Sequence, residues 1–227
     1  MIWIKTFLGI LFQTLILGIF LFLPAFTLNW PEAFLFLCIH FSITIFASCY
    51  LLIFKPESIQ ARLNYDSEAQ PQEDKLATIL MFGAIILGLC LAPIDIFHLN
   101  LSPAFEGITK NIGLCIYIFG LLLFMAAMNA NEFAETTVNI QEKRGQKVVD
   151  TGIYSVVRHP MYSGFIFFIA GANIWLGTYL SLFLSLIFLA IALRSRIAIE
   201  EKTLLNDLEG YENYCKRVKA RLIPYLL

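Results

Sequence analysis

Long runs of uncharged, apolar residues constrain this chain more than any other feature of its sequence. A transmembrane helix needs about 20 consecutive, mostly apolar residues, and several stretches of the chain reach that length. Of the 227 residues, 59% are hydrophobic and 15% are charged, whereas a soluble domain carries about 25% charged residues. The sequence therefore predicts an all-α integral membrane protein.

Six apolar segments divide the chain. They cover residues 2–26, 30–54, 76–97, 112–128, 161–175 and 179–193. The last two are short for full spans, and only a three-residue turn separates them, which predicts a helical hairpin packed against the others. We therefore expect five to six transmembrane segments in one membrane domain. Residues 1–130 hold the first four, and residues 131–227 hold a connector, the hairpin and a tail.

Apart from Lys110, at the edge of the connector 98–109, lysine and arginine lie on one side of this arrangement. They occur in the connectors after the second and fourth segments and after the sixth, and are absent from residues 23–29, 98–109 and 176–178. This distribution obeys the positive-inside rule, so both termini and the connector 131–160 are predicted to be cytoplasmic. The net charge of −1 offers no basic field for nucleic acid. None of the five cysteines has CxxC spacing, which argues against a metal site.

A dense polar and aromatic cluster lies where the connector meets the fifth segment. It reads Gly-Ile-Tyr-Ser-Val-Val-Arg-His-Pro-Met-Tyr-Ser-Gly over residues 152–164. Pro160 suits the first turn of a helix, because the N–H that proline lacks has no partner there. The next backbone N–H groups are then left unpaired and form a candidate anion site. Gly164 would permit the close approach of another helix or a ligand.

A second cluster, Arg194 to Glu201, lies at the end of the sixth segment. Arg196 and Glu200 are four residues apart and share one helical face. Charges at such a position tend to face protein or a water-filled cavity, although arginines can also serve as topology anchors and the two residues could form a structural ion pair. Because a hairpin brings its ends together, we expect the two clusters to be neighbours.

The tail carries one apolar stripe at helical spacing. Its members are Leu204, Leu208, Tyr211, Cys215, Val218 and Leu222. This pattern predicts a C-terminal amphipathic helix, interrupted at Gly210, that lies against the membrane surface or caps the cytosolic site.

These motifs together resemble a known family. Arg-His-Pro-Met-Tyr-Ser-Gly, preceded by Gly-Ile-Tyr and followed by Arg-x-x-x-Glu-Glu, resembles the isoprenylcysteine carboxyl methyltransferase family over about residues 130–225. It is similar, more loosely, to membrane phospholipid N-methyltransferases and bacterial thiol S-methyltransferases. The resemblance implies an enzyme of the lipid bilayer that uses S-adenosyl-L-methionine to methylate a lipophilic or prenylated acceptor, with neither metal nor nucleic acid.

The resemblance also implies roles for individual residues. The implied cofactor-binding residues are Gln146, Lys147, Val148, Val149, Tyr154, His159, Pro160, Met161, Tyr162 and Glu200. Arg196 would bind the substrate and act in catalysis together with Glu201. A carboxylate acceptor would need no general base, whereas a thiol or an amine would need one, and His159 and Glu201 are the nearby candidates.

Two other functions are compatible with parts of the sequence. Residues 214–225 resemble the tails of sterol reductases, which use NADPH. A non-catalytic membrane protein or transporter is the other alternative, but Glu32 and Asp95 are the only acids within the first four segments and each lies near a segment end, which gives little support to an ion pathway. The Arg-x-x-x-Glu-Glu motif favours the methyltransferase.

Overall fold

The computed structural model describes residues 1–63, 72–134, 141 and 144–224. Within these ranges the architecture is helical. The α-helices are α1 (Ile2–Ala25), α2 (Pro31–Phe54), α3 (Pro56–Leu63), α4 (Gln72–Ile94), α5 (Gly107–Ala130), α6 (Pro160–Leu176), α7 (Tyr179–Asp207) and α8 (Tyr211–Arg217). A π-helical turn, Asp95–Leu99, extends α4. The predicted all-α membrane fold is confirmed, because five of these helices, namely α1, α2, α4 with its π-helical turn, α5 and α7, are long and apolar enough to span a bilayer.

The predicted hairpin is formed by α6 and α7. Pro160 begins α6 at its first turn, as expected. At the other end of the hairpin, Thr178 caps α7 through a reciprocal pair of hydrogen bonds with Ser181, which satisfies backbone groups that a helix start leaves open. Asp95, buried beside the turn, accepts a 2.7 Å hydrogen bond from the Thr178 hydroxyl. The acid near the end of the third segment thus fixes the hairpin turn.

The sixth segment is longer than expected. The sequence predicted a short segment that ends before Arg194, but α7 continues for 29 residues to Asp207. Arg196 and Glu201 therefore lie within the helix and not at its end. The helix continues because these charged side chains have buried partners and because the next glycine, Gly210, comes only after residue 207. By contrast, α6 has 17 residues and is short, as predicted.

Close packing of α5 against α6 depends on glycines spaced seven residues apart on each helix. They are Gly113 and Gly120 on α5, and Gly164 and Gly171 on α6. A Cβ atom on Gly171 would lie 2.2 Å from the Tyr117 nitrogen, and one on Gly120 would lie 2.4 Å from the Phe168 nitrogen. Such distances exclude any side chain, so the two backbones touch. The expectation that Gly164 admits another helix is confirmed.

The apolar stripe of the tail does not form one continuous helix. It is divided between the end of α7 and α8 by Gly210, whose φ of 85° lies in the left-handed region that glycine adopts readily. Val218 and Leu222 lie beyond α8. The buried tail residues Tyr211, Tyr214 and Val218 pack against Val148 of the connector. The tail therefore covers the connector, which is one of the two positions predicted for it.

Candidate active site

A cavity of about 800 Å³, counted with its open mouth, lies between the connector, the start of α6 and the second half of α7. We call it the connector cavity. Its lining residues are Asn131, Phe133, Ala134, Gln146, Lys147, Val148, Val149, Tyr154, Arg158, His159, Met161, Tyr162, Arg196, Glu200, Leu204, Leu208, Tyr211 and Tyr214. All the residues implied as cofactor ligands line it except Pro160, which is buried at the start of α6. Arg196 lines it too, whereas Glu201 does not.

The connector contributes an extended stretch of main chain to the cavity wall. Lys147, Val148 and Val149 line the cavity and belong to no helix. Within the part of the chain that the structure describes, their backbone N–H and C=O groups make no hydrogen bond. Backbone polar groups are strong donors and acceptors that are normally paired when buried. This stretch can therefore offer a row of hydrogen-bonding groups to a polar ligand.

One polar network joins α4, α6 and α7 on the cavity wall. The Tyr162 hydroxyl donates a 2.5 Å hydrogen bond to Glu200 Oε2 and accepts one of 3.0 Å from Arg196 Nε. Arg196, which is 1% exposed, also donates to the Thr78 hydroxyl at 2.6 Å and forms an ion pair with Asp74. Arg196 is thereby held rigidly, and its charge is balanced by a carboxylate from another span.

A second network is centred on Glu201. Arg158 Nε and Nη2 both lie 2.8 Å from Glu201 Oε1, and Arg221 Nε and Nη2 lie 3.0 and 2.9 Å from Oε2. His159 Nε2 lies 3.2 Å from Oε1. The carboxylate thus contacts two guanidinium groups and one imidazole, and it turns away from the connector cavity. The predicted meeting of the clusters at 152–164 and 194–201 is confirmed by these contacts.

His159 connects the two networks. Its ring stacks on Tyr162 with centroids 5.6 Å apart and planes 23° apart. Its Nδ1 lies 3.8 Å from Glu200 Oε1, and its Nε2 faces Glu201. Because Glu201 contacts Nε2, the other ring nitrogen, Nδ1, is directed toward the cavity side of the cluster. This arrangement orients the imidazole as a carboxylate commonly does for a functional histidine.

The tail closes the site through main-chain contacts. The N–H groups of Arg158 and His159 donate to the carbonyls of Ala220 and Arg221 at 3.0 and 2.9 Å. The Tyr214 hydroxyl donates a 2.7 Å hydrogen bond to the Tyr154 carbonyl. Burial raises the pKa of both tyrosines above the usual range, because it disfavours the charged phenolate.

Comparisons with known proteins find similarity to membrane methyltransferases. A family model described as phospholipid methyltransferase matches residues 108–208. Protein-S-isoprenylcysteine O-methyltransferase of Schizosaccharomyces pombe is 32% identical over 102 residues, which are 44% of this chain and 43% of that protein. The structure of a eukaryotic intramembrane Ras methyltransferase, isoprenylcysteine carboxyl methyltransferase, aligns with a TM-score of 0.56 at 21% identity, covering 93% of this chain and 74% of that one. The fold is thus similar to that of the isoprenylcysteine carboxyl methyltransferase, and the sequence similarities fall in the region that carries the expected resemblance to that family.

Sterol reductases also share sequence with this chain. The Delta(14)-sterol reductase of Saccharomyces cerevisiae is 29% identical over 161 residues, which are 67% of this chain and 37% of the reductase. The chain spans between 37% and 60% of the length of the curated relatives it matches. The resemblance of the tail to sterol reductases is therefore part of a wider similarity.

Several residues of the site were not predicted from the sequence. Asp74 and Thr78 come from α4, outside the region that carried the resemblance. An acid at the edge of an apolar segment needs a partner, and that signal could have identified Asp74. Arg221 gave no signal beyond its position in a basic tail. The connector residues 135–140 and 142–143 lie outside the described residues.

Proposed function

We propose that this chain binds S-adenosyl-L-methionine in the connector cavity and transfers a methyl group to a lipophilic acceptor. The observation that carries the proposal is the pairing, in one cavity, of the main chain at 147–149, which has no hydrogen-bond partner among the described residues, with the carboxylate of Glu200. Unbonded peptide groups suit the polar edges of a nucleoside, and a carboxylate suits an ammonium or sulfonium group. Residues implied by the family resemblance thus supply the groups that the cofactor requires.

When bound, the cofactor supplies a methyl group already activated on a positively charged sulfur. The main task of the protein is then to position two reactants. Glu200 is suited to this task because the Tyr162 hydroxyl holds its Oε2 while its side chain remains 28% exposed. The Arg196 guanidinium is fixed by Asp74 and Thr78. Because Arg196 also lines the cavity, it would contact the polar head of the acceptor there.

The acceptor class decides which further residues take part. A carboxylate is nucleophilic without a base, and Arg196 would orient it. A thiol or an amine must lose a proton, and His159 is the better placed of the two candidate bases because it lines the cavity. Glu201, which contacts Arg158, His159 and Arg221, would then act by orienting His159, without itself touching the reactants.

The binding test uses purified protein in detergent and calorimetric titration with S-adenosylhomocysteine. Glu200→Gln removes one charged partner, and losing such a hydrogen bond costs about 1.5–3 kcal/mol, or roughly 10- to 150-fold in affinity. Glu209→Gln, an exposed acid shortly after the end of α7, is the matched control and should bind normally. Equal losses in both variants would contradict a cofactor role for Glu200.

A membrane reductase is the second candidate, because sterol reductases match two thirds of this chain. The same titration with NADPH separates the two functions. Binding of NADPH without binding of S-adenosylhomocysteine would reverse the proposal. The acceptor can be assigned by following transfer of a radiolabelled methyl group to three probes in detergent: a prenylated cysteine, an alkyl thiol and phosphatidylethanolamine. The probe that accepts label identifies the nucleophile as carboxylate, thiol or amine.

A further inference from the structure

A second cavity lies on the other side of the Glu201 network. It is an apolar groove between α6 and α7 that we call the outer groove, and its apolar wall is formed mainly by Ile166, Leu186, Leu189, Leu193, Ile197 and Leu222. Arg194, Glu201 and Arg221 line one end of it. Between Leu186 and Ile197 an α-helix rises roughly 16 Å at about 1.5 Å per residue. The groove therefore has the length of most of one extended acyl chain.

The charged end of the outer groove is positive overall. The single carboxylate, Glu201, contacts two arginines, Arg158 and Arg221. These three side chains together therefore carry a net positive charge. Arg194 adds a second one. It is exposed and has no hydrogen-bond or ion-pair partner among the described residues. The side chain of Arg221 is 52% exposed. Guanidinium groups bind phosphate oxygens well because their donors match that geometry.

We propose that the outer groove binds an anionic phospholipid of the bilayer, with one acyl chain along α7 and its phosphate between Arg194 and Arg221. The groove joins an apolar channel to a pair of arginines, which matches the amphipathic form of such a lipid. The bound lipid is not the methyl acceptor, because the contact between Glu201 and His159 lies between this groove and the connector cavity. It would instead stabilise the Glu201 network from the lipid side.

The test is native mass spectrometry of the detergent-purified chain with phosphatidylglycerol and phosphatidylcholine of the same acyl chains. Phosphatidylglycerol should be retained preferentially. A basic residue near the surface contributes about 1 kcal/mol to binding an anionic lipid, or roughly fivefold, so Arg194→Gln should weaken retention of phosphatidylglycerol by about fivefold. Lys202→Gln removes an exposed cation from the same helix outside the groove and should change nothing.

Two further measurements keep the proposal falsifiable. Ala190→Phe adds a ring inside the groove and should reduce retention of both lipids, because it obstructs the acyl chain. Thermal unfolding in detergent should give an unchanged melting temperature for Arg194→Gln, which shows that the variant is folded and makes the result independent of the proposed methyl transfer. Equal retention of the two lipids by the parent chain, or equal effects of Arg194→Gln and Lys202→Gln, would overturn the proposal.

Discussion

Arg196 lies in the second half of α7 with 1% of its surface exposed, so neighbouring side chains must balance its charge. Asp74, which is completely buried, does so from α4, and Thr78 and Tyr162 accept further hydrogen bonds from the guanidinium. An uncompensated charge in such surroundings is very costly. Asp74 is therefore a positioning residue that determines where the Arg196 guanidinium stands in the cavity wall.

We expect Asp74→Asn to destabilise the protein strongly. Removing one partner of a buried ion pair costs about 3–5 kcal/mol, because the other charge stays buried. The double variant Asp74→Asn, Arg196→Met should lose less stability than the sum of the two single changes. Denaturation in detergent measures all three variants. Glu212→Gln breaks an exposed pair with Lys216 and serves as the control. Strict additivity of the two single effects would refute the coupling.

A separate experiment distinguishes Arg196 from Glu200. If Arg196 faces the acceptor and Glu200 faces the cofactor, Arg196→Lys should keep affinity for S-adenosylhomocysteine while turnover falls, because a lysine cannot reproduce the planar, multidentate donor set of arginine. Glu200→Gln should instead lower the affinity for S-adenosylhomocysteine. Binding and methyl-transfer assays on the same preparations give the answer. Parallel losses of affinity and melting temperature in both variants would indicate a purely structural pair.

At the scale of helices, the apolar runs predicted the membrane segments and the hairpin. A segment that crosses the hydrocarbon core must form its backbone hydrogen bonds internally, as a helix does. The extension of α7 to Asp207 was missed. Hydropathy falls sharply at Arg194, and the partners that stabilise the buried charges of Arg196 and Glu201 come from distant residues. The position of Gly210 was recognised as a break, since glycine adopts positive φ more readily than other residues.

The glycine contacts between α5 and α6 lead to a prediction for this pair of helices. Gly171→Ala places a Cβ atom 2.2 Å from the Tyr117 backbone nitrogen, and since backbone cannot yield locally the helices must separate. Overpacking of this kind costs about 1–3 kcal/mol. Gly83→Ala is the matched control, because a Cβ atom there meets nothing within 4 Å. Thermal unfolding should show a lower melting temperature for Gly171→Ala alone. Equal behaviour of the two variants would contradict the close packing.

At the scale of the whole molecule, the distribution of lysine and arginine predicts which ends of the helices share a side of the membrane. Single cysteines introduced into a cysteine-free parent at Asn29 and Asn100, both exposed, should react with an impermeant reagent added to intact cells. A cysteine at Glu212, also exposed, should react only after permeabilisation. Thr178 is unsuitable as a probe, because it is 1% exposed. Labelling at Glu212 in intact cells would contradict the predicted orientation of the chain in the membrane.

The site illustrates what a sequence can and cannot disclose about the complete molecule. Residues in short motifs, such as His159 and Tyr162, were located because their spacing is local. The contacts of Arg196 with Asp74, which are 122 residues apart, depend on how α4 packs against α7. No local pattern specifies that packing, so the second half of the network emerged only from the fold.

The pairing of Arg158 with the tail has a consequence for biosynthesis. Sixty residues separate Arg158 from Val218, whose carbonyl accepts a hydrogen bond from the Arg158 side chain. At a synthesis rate of about 5–20 residues per second, a ribosome needs roughly 3–12 s to add them. During that interval the first helices can enter the membrane while Glu201 and the carbonyls of the tail are still missing or inside the ribosome. The nascent chain therefore becomes an integrated membrane protein before it can possess a closed cavity, and the cavity is one of the last features to be assembled.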